Sequence, residues 1–386
     1  MQPFRAQFFN SKTYVKGEEI MRSQVFGAAL LAAGGLGLAG SAAHAQSSVT
    51  LYGIVDAGIA YNSNQGGHSL YYAASGNQFG DRWGLKGIED LGGGLHAVFR
   101  LENGFNIDTG ALGQGGREFG RHSEVGLSDD RFGTVTLGRQ YNAAQDYLAD
   151  MQIGLYTAAY GLHPYDTDDL NNTFRTNNSI KYVSPTIAGV QGTAMYAFSN
   201  STNFDSDRAW DVGMHYGNGP LNLAAVYVLM DHPALNTTGA IASDNYYSTT
   251  FVSNVVRQQI WGGGGTYALG KATLSAMYTD TNFALTSGTL RFDNYDVSVR
   301  YQLTPYLLLA AGETYTAVDQ PKGTDKSAHY WQTNTGVNYY LSKSTILYLA
   351  GFYQRASGAV AFIETANAAS SSHSQLLVVS GIRHNF

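Results

Sequence analysis

From Ser48 to Asn62, Val49, Leu51, Gly53, Val55, Ala57, Ile59 and Tyr61 fall on one parity, and Thr50, Asp56 and Gly58 on the other. Side chains alternate along a strand, so one face is apolar and the other mixed. Tyr52 and Ile54 are the exceptions. The pattern recurs and predicts further strands near 78–89, 94–106, 117–128, 131–141, 176–185, 188–200, 206–217, 220–230, 256–269, 271–281, 289–303, 305–317, 327–342, 344–356 and 373–386. That makes sixteen. Gly262 to Gly265 and Leu307 to Leu309 blur the alternation in two of them. Most of these runs reach the roughly 9–11 residues that a tilted strand needs to cross a bilayer, where sandwich strands are nearer about 5–6.

The connections alternate in length. Short turns such as Gly217-Asn218-Gly219-Pro220 and Leu303-Thr304-Pro305 carry the residues tight turns require. Long connections run over 62–77, 142–175, 231–255 and 356–372. Short turns at one end and long loops at the other fit a transmembrane barrel, the closed form that satisfies strand backbones in lipid. The predicted fold is all-β, a 16-stranded antiparallel barrel. Segment 142–175 is too long for a plain connection and holds five aspartates among tyrosines. It is expected to fold into the barrel as its third loop.

The first residues are of another kind. Arg22, the apolar run Val25–Ala39 and Ala43-His44-Ala45 read as a signal peptide over 21–45, cleaved before Gln46. Residues 1–20 do not suit a leader. Lys16-Gly17-Glu18-Glu19 has the purine-rich coding of a ribosome-binding site ahead of Met21, so 1–20 reads as a start-site misassignment. Residues 46–386 then form one barrel domain. Gly35 to Gly40 matches a dinucleotide-binding glycine pattern, but no strand precedes it and the segment is removed.

Composition narrows the function. The chain has 46 Gly, 27 Tyr, no Cys and a net charge of −6. No disulfide framework or thiolate metal site is possible, and an acidic chain does not suit nucleic acid. Ten scattered His show no ligand spacing, so no metal or other cofactor is expected. Gly265 to Lys271 approaches a phosphate-binding loop but has Ala272 where Ser or Thr is needed. With no nucleophile motif the chain is read as no enzyme. Many of the tyrosines are read as interfacial girdles.

Several stretches resemble general porins of the beta-proteobacterial outer membrane. They are Ser47 to Gly53, Arg82 to Gly87 with Glu89 to Leu95, Phe99 to Glu102, Val125 to Leu127, Phe132 to Gln140, Asn178 to Pro185 and Gly381 to Phe386. The resemblance implies a homotrimer of 16-stranded barrels, water-filled pores, an inward third loop, and export to the cell outer membrane of a Gram-negative bacterium. It also implies that Phe386 is the signal read by the barrel-assembly machinery. Outer-membrane lipid and lipopolysaccharide are the expected surroundings, with ions and small hydrophilic solutes as cargo and no nucleic-acid partner. The reading is a general diffusion porin. A solute-specific channel and a plugged barrel acting as an adhesin stay open as alternatives.

A pore sorts by width and by the field across its narrowest point. Strand parity sends Arg82, Lys86, Arg100 and Lys181 to the lumen, with Arg175 in step with Lys181. On the lipid side each would cost about 2–4 kcal/mol. The expected constriction sets these five against Asp146, Asp150, Asp166 and Asp168 of the long loop. Arg121 and Arg139 have the wrong parity unless a bulge intervenes, and Glu124 faces the lumen. The mature chain carries 19 Lys and Arg against 27 Asp and Glu, net −8, which points to cations. The lumen inventory points to anions, so ion preference is left open with a lean to anions.

Overall fold

The structure is a computed structural model and describes residues 47–244, 254–320, 327–366 and 368–386. The expected leader over 21–45 and segment 1–20 lie outside the described residues.

Seventeen strand segments follow in order. They are β1 (Ser48–Gln65), β2 (His68–Ser75), β3 (Arg82–Gly92), β4 (Leu95–Gly104), β5 (His122–Asp129), β6 (Gly133–Gln140), β7 (Thr176–Val183), β8 (Val190–Ala197) and β9 (Arg208–Asn218). The rest are β10 (Leu221–Asp231), β11 (Val255–Leu269), β12 (Ala272–Leu285), β13 (Gly288–Thr304), β14 (Leu307–Asp319), β15 (Ala328–Tyr340), β16 (Thr345–Ser357) and β17 (Ser374–Asn385). Every pairing between them is antiparallel, and β1 pairs with β17, which closes the ring. β2 pairs with the outer part of β1, Ala57 to Gln65, and β3 with the inner part, Ser48 to Ile54. They are two halves of one barrel strand, so the wall has 16 strands.

That broken strand departs from the expectation of a loop over 62–77. Gly66 and Gly67 turn with positive φ and let β1 and β2 form a hairpin. The break at 76–81 is held by two carboxylates. Asp56 accepts the Gln78 and Phe79 amides at 2.7 and 3.2 Å, and Asp81 accepts the Asp56 amide at 2.5 Å. The blurred stretches at 262–265 and 307–309 form regular strands, β11 and β14.

β15 shows why this wall belongs in lipid. Gln332, Asn334 and Asn338 are buried inside, while Trp331, Val337 and Tyr339 are exposed outside. An apolar exterior around a polar interior is the pattern of a membrane barrel.

The seam closes at the last residue. The Gly53 amide donates to the Phe386 carbonyl and the Phe386 amide to the Gly53 carbonyl, both at 3.0 Å. The phenyl ring covers Gly53 so closely that a Cβ there would meet it at 2.3 Å.

Segment 142–175 bonds to side chains on the buried face of the far wall. Ser275 donates to the Met151 carbonyl, Gln258 to Thr167 at 2.8 Å, Gln332 to Tyr160 at 2.8 Å and Asn338 to Tyr156 at 3.0 Å. It opens with α1 (Ala143–Tyr147), capped by Asn142, whose side chain accepts the Ala144 and Gln145 amides. Two connections expected as outer loops also turn inward. Ala240, Ile241 and Ala242 are fully buried, and Ala240 and Ile241 join Leu148 and Leu170 in an apolar cluster. Phe362 stacks on Tyr165 at 4.8 Å, and Ile363 is fully buried. These short apolar runs find cover on apolar side chains of the long segment together with inward apolar residues of the strands, Met230 and Ile260 in one cluster and Phe352 and Leu377 in the other.

Candidate functional site: a basic wall facing a carboxamide loop

One arc of the inner wall, β3 to β7, concentrates positive charge around one buried acid. Glu102 on β4 is fully buried. It accepts from Arg100 at 2.7 Å, from Arg121 at 2.7 Å and from the Tyr52 hydroxyl at 2.8 Å, and Arg82 lies 3.9 Å away. Arg121 also donates to the Tyr141 hydroxyl at 2.7 Å. The Arg175 guanidinium lies 5.7 Å from the Tyr141 ring centre, and the Lys86 ammonium 5.4 Å from that of Tyr52. Both contacts are of cation–π type. Arg139 donates to the Gly120 carbonyl at 2.9 Å and to Asn177.

Arg121 and Arg139 join this wall despite their parity. Arg121 precedes β5, outside its alternation. Arg139 follows a bulge, where the pairing steps from Gly138 with Ser179 to Gln140 with Thr176. Gly138 has φ 134°, and a Cβ there would meet the Ser123 carbonyl at 2.1 Å, so the bulge requires glycine.

The loop acids separate into two groups. Asp146 pairs with Lys181, which also donates to the Tyr141 carbonyl at 3.1 Å. Asp150 is half-buried with Arg300 and Asp146 as charged neighbours, and desolvation pushes its carboxyl up to about 7. Asp166 and Asp168 do not face the basic wall. Asp166 accepts the Asn171 and Thr173 amides of its own loop at 2.8 and 3.1 Å. Asp168 accepts from His163 at 2.7 Å, Thr279 at 2.5 Å and Asn294 at 3.3 Å. Both carboxylates are consumed in tying the loop to itself and to β12 and β13.

What does face the basic wall is neutral. A cavity of about 530 Å³ has Arg82, Arg121 and Arg175 on one side and Gln145, Gln152 and Asn172 of the loop on the other. Among the described residues, Asp108, from the β4–β5 connection, is the acid on its lining.

Two further arginines point inward outside the β3–β7 arc, one on β13 and one on β17. Arg300 lies 3.7 Å from the Tyr156 ring centre, and Arg383 lies 4.6 Å from that of Phe79. Parity signalled both, since Arg300 alternates with Val299 and Tyr301, and Arg383 with Ile382 and His384. The role of Glu102 had no sequence signal beyond lumen parity.

The barrel, its polar interior and its apolar exterior meet an independent match. A family model described as Gram-negative porin matches residues 27–359. The chain belongs to the Gram-negative porin family. An outer membrane porin protein of Bordetella pertussis is 32% identical, over 95% of this chain and 100% of that one. Outer membrane porin protein 32 of Delftia acidovorans is 31% identical over the same shares. Among solved structures, an anion-selective porin from Comamonas acidovorans superposes with a TM-score of 0.72 at 26% identity, covering 88% of this chain and 100% of that one. This porin is therefore an outer-membrane channel through which ions and small hydrophilic solutes diffuse.

Proposed function

We propose that this porin is an anion-preferring diffusion channel whose constriction lies between the β3–β7 wall and segment 142–175. The observation that carries the reading is the cavity between Arg82, Arg121 and Arg175 and the loop amides Gln145, Gln152 and Asn172. An anion there meets guanidinium on one side and uncharged carboxamides on the other. A cation meets amide oxygens and Asp108 alone. Lys86, Arg100 and Lys181 extend the positive field along the wall, and Asp146 and Asp150 temper it locally. Asp166 and Asp168 act in this reading as anchors that keep the loop in place. The protein does no covalent chemistry, and the relative named as anion-selective supports the sign.

The experiment is a chloride-to-potassium permeability ratio for Arg121→Gln beside the wild type. One unit charge at about 4 Å is worth about 1 kcal/mol at the dielectric of water. Losing it should lower the ratio severalfold. An unchanged ratio overturns the assignment.

We propose a homotrimer as well. Val49, Leu51, Val125, Leu127 and Leu137 make an exposed aliphatic surface on β1, β5 and β6 that suits a protomer contact. We further propose that lipopolysaccharide surrounds the remaining arc and that Phe386 serves as the assembly signal. Cross-linking in native membranes tests the trimer, with three-chain bands expected.

A further inference from the structure

A second element besides segment 142–175 reaches into the lumen. It is the break at 76–81 between β2 and β3, and it is tied down on several sides. Asn77 donates to the Ala74 carbonyl at 2.7 Å, and Gln78 to the Thr157 carbonyl at 2.9 Å and to Asn338 at 2.7 Å. The Ala159 amide donates to the Asn77 carbonyl at 2.7 Å, and the Tyr160 hydroxyl to the Asn77 side chain at 3.0 Å. Asp56, which holds the Phe79 amide, accepts in turn from the Tyr348 hydroxyl at 2.6 Å. Asn77 and Gln78 are buried. Phe79 is only half-buried, and it lines the cavity between the basic wall and the long loop.

The Phe79 ring carries two cations. The Arg383 guanidinium of β17 lies 4.6 Å from the ring centre, and that of Arg82 lies 5.9 Å from it. Both contacts are of cation–π type. Arg82 is further fixed by donating to the Gly80 carbonyl at 3.0 Å, within the same break. The long loop adds Leu155 and Leu162 to the lining of the same cavity. The constriction therefore sets apolar surface next to its positive charges.

That combination sorts anions by how tightly they hold water. A guanidinium is weakly hydrated for a cation. A phenyl ring or a leucine side chain offers nothing in exchange for a lost water, and taking a charge out of water is costly unless partners replace the lost hydrogen bonds. A strongly hydrated anion meets that cost at the ring, and a weakly hydrated one largely escapes it. We propose that Phe79, in contact with Arg82 and Arg383, is a specificity-determining residue that makes the constriction favour weakly hydrated monovalent anions over strongly hydrated ones of the same charge. The assignment rests on the anion-channel reading and names the class of anion.

The test uses the folded full barrel in planar bilayers. The reversal potential in a potassium chloride gradient gives the sign of selectivity. The bi-ionic potential between potassium thiocyanate and potassium fluoride gives the permeability ratio of the two anions. The wild type should pass thiocyanate severalfold more readily than the mobilities of the two ions in water explain. Phe79→Ser should lose most of that margin. Phe79→Leu, apolar without being aromatic, should keep it. A wild-type ratio equal to the ratio of mobilities overturns the proposal, as does an undiminished margin in Phe79→Ser or a margin lost in Phe79→Leu. The wild-type ratio decides the matter even where a variant does not fold. A chloride-selective sign without the thiocyanate margin removes this assignment alone, and a potassium-selective sign removes the anion-channel reading with it.

Discussion

Arg121 reaches Glu102 at 2.7 Å, although Glu102 already accepts from Arg100 and Tyr52. One carboxylate therefore serves a wall with several guanidinium groups. Glu102→Gln should shift the permeability ratio further toward chloride, severalfold by the same one-charge argument. It should also lower the melting temperature, because buried arginines lose their shared counter-charge. A ratio moving toward potassium contradicts the assignment.

pH should act on the loop acids with a defined sign. Burial raises Asp150 to about 7, and burial with the nearby Asp166 and Asp168 raises Glu364 to about 8. Their folded values exceed the unfolded ones, so the neutral forms favour the folded state. That contribution is complete below about pH 4 and is lost as pH rises through 7 to 8. Reversal potentials should show stronger anion preference at pH 6 than at pH 9. Asp150→Asn with Glu364→Gln should flatten the difference, and an undiminished difference in that variant rules out these two groups.

Asp168 ties the loop to β12 and β13. Asp168→Ala leaves His163, Thr279 and Asn294 without their shared acceptor and should cost about 2–3 kcal/mol. The wild type should resist chymotrypsin between Asn142 and Arg175, and the variant should be cut there and show noisier single channels. Equal resistance would mean that the remaining contacts suffice.

At the seam, Gly53→Val would drive a side chain into the Phe386 ring. Overpacking of this kind costs about 1–3 kcal/mol. Lower refolding yield and a lower melting temperature are expected, with selectivity unchanged in the fraction that folds. Full yield and wild-type melting would show that the ring moves aside freely.

The barrel was legible because alternation has period two and survives weak segments such as Gly262 to Gly265. Arg82, Lys86, Arg100 and Lys181 were legible for the same reason. Arg139 was not, because a bulge at Gly138 resets parity and nothing in the local sequence separates that glycine from any other. Acids on the long loop could be counted but not aimed. Whether Asp166 faces a wall or its own loop depends on backbone turns, here a φ of 43° at Asp166 itself. The inward course of Ala240 to Ala242 was hidden as well, since part of the apolar surface packed with Ala240 and Ile241 comes from Leu148 and Leu170 on a different loop.

The most direct measurement is the reversal potential of the refolded wild-type protein in a planar bilayer under a potassium chloride gradient near pH 7. A stepwise conductance with a potential of chloride-selective sign is the predicted result. A potassium-selective sign would contradict a constriction dominated by Arg82, Arg121 and Arg175, and an absence of steps from folded protein would contradict an open pore.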